Sequence, residues 1–123
     1  MSQIFTPVPD KEQTAGAGQK DRRRHSRHRL MQEIDICPKS GIQFSAMSFE
    51  ISESGLSAAT SNYLTVGEII ELFPIAGGWV KAIVRRKVGA MYGFEFLYLT
   101  QKQTQQIRDL CDKLPLFQST AGI

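Results

Sequence analysis

Cysteine is scarce in this chain. Cys37 and Cys111 are the only two, they lie far apart, and neither has a Cys or His neighbour at metal-ligand spacing. That excludes a disulfide framework and a structural zinc site, and leaves two reduced thiols, in the core or at the surface. Long apolar runs are missing too: the longest are a few residues and are broken by charge, so no segment is built to span a bilayer. Met1 to Gln19 lacks an apolar block after a basic start, which excludes a secretory signal of the usual kind and points to the cytoplasm. Glu53, Glu68, Glu71 and Glu95 are scattered along strand-like sequence without pairing, so no acid/base carboxylate couple is indicated. His25 and His28 flank Ser26 in a hydrolase-like way, but no acid stands where it could complete a triad. With no nucleophile, metal set or phosphate-cradling glycine loop of enzyme type, the expectation is a non-enzymatic protein without a cofactor.

What is present is positive charge in one place. Lys20 to Arg29 holds 6 of the 15 basic residues and a single acid, Asp21, leaving 9 basic against 11 acidic residues elsewhere. Such local charge calls for an anion: a phosphate, a nucleic acid or a membrane surface. The preceding residues 1–19 mix Pro, Gly, Gln, Ser, Thr and Ala with only Ile4 and Phe5 as large apolar side chains, and read as a flexible tail. Residues 20–29 then read as a mobile basic arm. The length of 123 residues and 41% hydrophobic content fit one domain with a core.

From residue 30 the pattern becomes that of strands. Ile34 and Ile36 alternate with Glu33, Asp35 and Cys37; Pro38 to Gly41 is a turn; Ile42 to Phe49 is a second strand, making a hairpin. Glu50 to Gly55 reads as a loop, its glycine able to take positive φ. Leu56 to Thr60, Glu68 to Ile75, Trp79 to Arg86 and Ala90 to Tyr98 supply four more strands, the last with Tyr92, Phe94, Phe96 and Tyr98 on one face. Trp79 is read as strand-edge packing. Thr100 and Gln103 stand at capping-box spacing, before Ile107, Leu110, Cys111 and Leu114 at helical spacing. These elements predict a mainly β fold: a small six-stranded antiparallel barrel over residues 30–99, closed at one opening by a single C-terminal α-helix over 100–114, with the basic arm on its N-terminal side and a tail over 115–123.

Two segments carry the chemistry. Arg23 and Arg27 present planar guanidinium forks, which bind phosphate oxygens bidentately and match the O6 and N7 acceptors of guanine. The hairpin of residues 30–49 returns the chain beside the arm, so the loop of Glu50 to Gly55 lies next to it. There Ser52 offers a hydroxyl, Gly55 close backbone approach, and Glu50 an acceptor for a guanine edge or for an arginine. The set Arg23-x-x-x-Arg27, Glu50-x-Ser52-x-x-Gly55, Ala82 to Arg85 and Tyr92-Gly93-Phe94-Glu95-Phe96 resembles a PilZ domain over residues 20–113. The resemblance implies a bacterial receptor for cyclic di-GMP, with Arg23, Arg27, Glu50, Ser52 and Gly55 binding the ligand. The family usually has Asp or Asn where this chain has Glu50, whose extra methylene shifts the carboxylate by about a bond length and bears on affinity.

The expected function is therefore a monomeric signalling module whose arm orders on binding cyclic di-GMP and which passes the signal to a protein partner. The alternatives are a PilZ-like adaptor that interacts with protein without ligand, and a nucleic-acid-binding barrel with a basic arm, against which the net acidity of the barrel outside the arm counts. Arg22, Arg24, Ile83 and Arg85 are left without assigned roles.

Overall fold

The computed structural model describes residues 25–117. Its elements run in chain order: β1 (His28–Cys37), β2 (Phe44–Ile51), β3 (Gly55–Ala59), β4 (Ile69–Ile75), β5 (Gly78–Val88), β6 (Met91–Phe96) and α1 (Gln101–Asp112). The strands close into a barrel in the order β1-β2-β3-β6-β5-β4, every pair antiparallel. The expected mainly β architecture of six strands and one helix is thus observed.

Period-two alternation explains the core. Ile34 and Ile36 of β1, Ile70 and Leu72 of β4, and Val80, Ala82 and Val84 of β5 all point inward and are buried. Tyr92, Phe94 and Phe96 of β6 join them. Tyr98 does not: β6 ends at Phe96, Tyr98 takes positive φ and its ring is exposed, so the fourth aromatic of the expected inward row belongs to the turn before the helix. Helix α1 starts where its cap demands. Thr100 Oγ1 accepts from the Gln103 backbone N–H at 3.0 Å while Gln103 Oε1 accepts from the Thr100 N–H at 2.9 Å, a reciprocal capping box. Its buried side chains, Ile107 and Cys111, join the core cluster and cover the barrel.

The two ends of the described chain differ from the sequence expectation. His28 and Arg29, expected in a mobile arm, are the first residues of β1 and pair with Ile51 and Glu50. Pro115 to Phe117, expected to begin a tail, run antiparallel to them: Arg29 N–H donates to Pro115 O at 2.8 Å, Phe117 N–H to Arg27 O at 2.9 Å, and His28 bridges Leu116. Leu114 and Leu110 pack on the core just before this segment. One acceptor and one donor after the helix, the Pro115 carbonyl and the Phe117 N–H, are therefore satisfied by the entering strand rather than by solvent. Residues 1–24, with the first half of the predicted arm, and 118–123 lie outside the described residues.

Candidate ligand-binding groove

Three β-bulges lie near one another on the barrel and re-aim the side chains beside them. Register shifts fall between Arg29 and Gln32 in β1, Ser48 and Glu50 in β2, and Val84 and Arg86 in β5. Each adds one residue to a strand and switches the face of the residues beyond it. Without the β2 bulge, alternation from Ala46 and Ser48 would drive Glu50 into the apolar interior; with it, Ile51 takes the inward place and Glu50 turns to the outer face opposite Ser57. Likewise, alternation from Val84 would bury Arg86, but the β5 bulge sets it outside, opposite Gly93. The buried Ser48 hydroxyl holds the β1 bulge, donating to Gln32 O at 2.7 Å and reaching Leu30 O at 3.2 Å. The product is one continuous cross-strand row, Arg29, Glu50, Ser57, Gly93 and Arg86.

At the β1–β2 end of this row Arg27 lies on Glu50. Its Nη1 donates to Glu50 Oε2 at 2.6 Å, and Ser57 Oγ donates to the same oxygen at 3.2 Å. The Glu50 side chain is 7% exposed and that of Arg27 28%. A carboxylate taken this far from water requires such partners, because isolated burial of charge is strongly unfavourable. Two atoms of the pair are nevertheless left over: Arg27 Nε and Glu50 Oε1 are buried and have no hydrogen-bond partner. The fork meets the carboxylate through one bond where two are available. The other face of the Arg27 guanidinium is covered by the Phe117 ring, 5.6 Å from its centroid, a cation–π contact supplied by the segment after the helix.

The sequence-predicted residues are distributed around an open groove of about 610 Å3, within the roughly 300–1,000 Å3 of small-molecule sites. Arg27, Glu50, Ser52 and Gly55 all line it; Arg23 lies outside the described residues. Ser52 and Gly55 also have structural tasks. Ser52 N–H donates to Gly55 O at 2.8 Å and Ser52 Oγ accepts from Ser54 N–H at 3.2 Å, closing the β2–β3 turn. Gly55 is not in the left-handed region the sequence suggested. Its glycine is required by proximity: a Cβ there would lie 2.2 Å from Phe94 O, where β3 meets β6. On the rim, Arg85 Nε donates to Glu95 Oε1 at 2.6 Å, and Arg108 Nε to Glu53 Oε1 at 3.2 Å with His25 Nδ1 3.8 Å from that oxygen. Ile83 does not line the groove.

Three contributors escaped the sequence reading: Ser57, Arg86 and Phe117. Ser57 lies between the core residues Leu56 and Ala58 and so alternates outward, which was legible; that Glu50 would meet it required the bulge. A glycine within an aromatic strand, Gly93, is the one local feature that points to a close approach, and it was not used. What approaches is Arg86, whose side chain runs along the place a Cβ at Gly93 would occupy, with Nε 3.6 Å from it. Among the described residues no group of three or more His, Cys, Asp or Glu could hold a metal ion.

The PilZ domain model matches residues 21–113. The chain belongs to the PilZ domain family. Solved structures of the same fold include the PilZ domain of YcgR from Escherichia coli with c-di-GMP, at 19% identity and a TM-score of 0.59, covering 76% of this chain and 92% of that one. The PilZ domain of CeSA from a cellulose-synthesizing bacterium matches at 13% identity and a TM-score of 0.57, covering 70% and 94%. The motility inhibitor MotI/DgrA of Bacillus subtilis matches at 18% identity and a TM-score of 0.60, covering 76% of this chain and 51% of that one. No curated protein matches the sequence significantly. No helix among the described residues is long and apolar enough to cross a membrane.

Proposed function

We propose that this PilZ domain is a receptor for cyclic di-GMP, bound in the groove between Arg27 and the segment from Glu50 to Gly55. The observation that carries this reading is the pair of unsatisfied buried atoms on facing side chains, Arg27 Nε and Glu50 Oε1. A buried donor and a buried acceptor left unpaired each cost roughly 1–3 kcal/mol, and a ligand that satisfies both recovers that amount. A guanine carries the N1–H and N2–H2 edge that an acceptor such as Oε1 takes, and a phosphate oxygen takes the Arg27 Nε–H. Cyclic di-GMP supplies both groups in one molecule, and YcgR from Escherichia coli is a PilZ domain solved with it.

In this reading Arg23 joins Arg27 as the second guanidinium, while Ser52 and Gly55 shape the turn against which the ligand lies. The chain acts without catalysis, in the cytoplasm and as a monomer, and engagement of the anion by the basic residues that precede β1 changes the surface offered to a protein partner. The test is calorimetric titration of Arg27→Ala with cyclic di-GMP. Loss of a charge-assisted contact of about 1.5–3 kcal/mol predicts an affinity at least about tenfold weaker. Equal affinity in that variant contradicts the site.

A second reading has its own observation. Glu50 already occupies Arg27 at 2.6 Å, so the guanidinium that the ligand needs is partly spent on the protein. If that pair outcompetes the anion, the chain is a ligand-independent adaptor for a protein partner. A parent protein that does not bind cyclic di-GMP, beside a Glu50→Asp variant that does, would establish it. A nucleic-acid-binding barrel is the third and weakest reading, tested by whether polymer binds tightly and resists displacement by cyclic di-GMP.

A further inference from the structure

The row that begins at Arg27 and Glu50 ends, two strands beyond Ser57, at a second guanidinium with a bed of its own. Arg86 is re-aimed outward by the β5 bulge, stands opposite Gly93, and lies back over it toward Ser57 and Glu50. It lines both the 610 Å3 groove and the adjoining 190 Å3 pocket beneath Phe117, as do Arg27 and Glu50. Its neighbour Arg85 lines the groove as well but is held by Glu95 at 2.6 Å; among the described residues Arg86 has no carboxylate partner. Gly93 leaves the sheet surface flat beneath this side chain: Arg86 Cβ and Nε lie 3.5 and 3.6 Å from where a Cβ at that position would stand, so the arginine lies in contact with the strand.

We propose that Arg86 is a further binding residue of the nucleotide site, a guanidinium at the opposite end of the groove from Arg27, and that it selects ligands with two phosphates over those with one. The inference rests on the cyclic di-GMP reading above. Adjacent strands stand about 4.8 Å apart, so Glu50 and Gly93, two strand steps apart, are separated by about 10 Å, and that strip divides the Arg27 end from the Arg86 end. A mononucleotide phosphate engages one end only. A cyclic dinucleotide presents a phosphate and a purine edge to each, and a planar fork of donors suits either group.

The experiment compares the parent protein, Arg86→Gln and Arg85→Gln by isothermal titration with cyclic di-GMP and with GMP. Both substitutions fall on exposed side chains, and unfolding curves matching the parent's would show that the fold is kept. The expected result is an affinity for cyclic di-GMP weakened about tenfold or more in Arg86→Gln and within about twofold of the parent in Arg85→Gln, with any GMP binding the same in all three. Parent-like affinity in Arg86→Gln, an equal loss in Arg85→Gln, or an equal loss for GMP overturns the proposal while leaving the receptor reading intact. A parent protein that does not bind cyclic di-GMP overturns both.

Discussion

Shortening Glu50 to aspartate separates what that carboxylate does for the fold from what it does to the site. Its Oε2 sits 2.6 Å from Arg27 Nη1 and 3.2 Å from Ser57 Oγ. Removing one methylene withdraws the carboxylate by about 1.5 Å, the length of one C–C bond, so the pair with Arg27 opens to about 4 Å unless the backbone moves with it. A hydrogen bond does not survive at that distance. A charge-assisted bond contributes about 1.5–3 kcal/mol, but Arg27 is 28% exposed and water partly replaces the lost partner, which brings the expected loss of folding free energy to about 1–2 kcal/mol. With a urea dependence of about 1–1.5 kcal/mol per molar for a domain of this size, the unfolding midpoint falls by about 1 M. The same change frees Arg27 from its competitor, and affinity for cyclic di-GMP is expected to rise about tenfold, since about 1.4 kcal/mol is a factor of ten. Urea unfolding monitored by intrinsic Trp79 fluorescence and calorimetric titration of the same preparation read the two effects. An unchanged midpoint would show that the ion pair adds nothing to the fold. A fall in affinity would refute the competition argument and make the full reach of Glu50 part of binding.

Two further perturbations test the frame that holds the groove. Gly55→Ala puts a methyl 2.2 Å from the Phe94 carbonyl, where both partners are backbone, so β3 must move off β6; a loss of about 1–3 kcal/mol in urea unfolding is expected, and parent-like stability would contradict the packing. Cys111 sits in the core with its thiol pushed up from 9.0 to about 11, first by burial and then by the charges of Glu53 and Asp112. Since the folded pKa lies above the unfolded one, its contribution to stability is whole below about pH 9 and is lost as pH rises toward 11; a thiol reagent at about pH 8 should therefore label the half-buried Cys37 and spare Cys111 until the protein unfolds.

Much of this molecule was legible because its strands obey a single rule. Where alternation ran unbroken, as from Ile34 to Ile36 and from Tyr92 to Phe96, sequence and structure agree on which side chains are inside, whereas Trp79 to Arg86 was legible as a strand but not as to which of its faces turns inward. The helix was equally plain, its cap written in Thr100 and Gln103. Legibility fails at the bulges, and the bulges are where the site is. Reading by twos assigns Glu50 and Arg86 inward places that no isolated charge can occupy; an inserted residue in β2 and in β5 turns each outward, and nothing in the local residue types announces it. A turn was identified here, but it is only residues 52–54, since Glu50 lies in β2 and Gly55 begins β3; nor was the reason for the glycine identified, because the close approach comes from β6, far along the chain, rather than from a left-handed backbone. Phe117 was missed for a related reason. Pro115 to Phe117 have no strand pattern of their own and are held by pairing with Arg27 to Arg29, a partnership that only the closed fold creates.

The most direct test of the central claim is isothermal titration of the purified protein with cyclic di-GMP at physiological salt, with GTP as the control. Saturable micromolar or tighter binding with a stoichiometry near one or two, and no response to GTP, is the predicted result. Silence toward cyclic di-GMP at high protein concentration would contradict it, and would mean that the Arg27–Glu50 pair is a finished structural contact rather than a site awaiting its ligand.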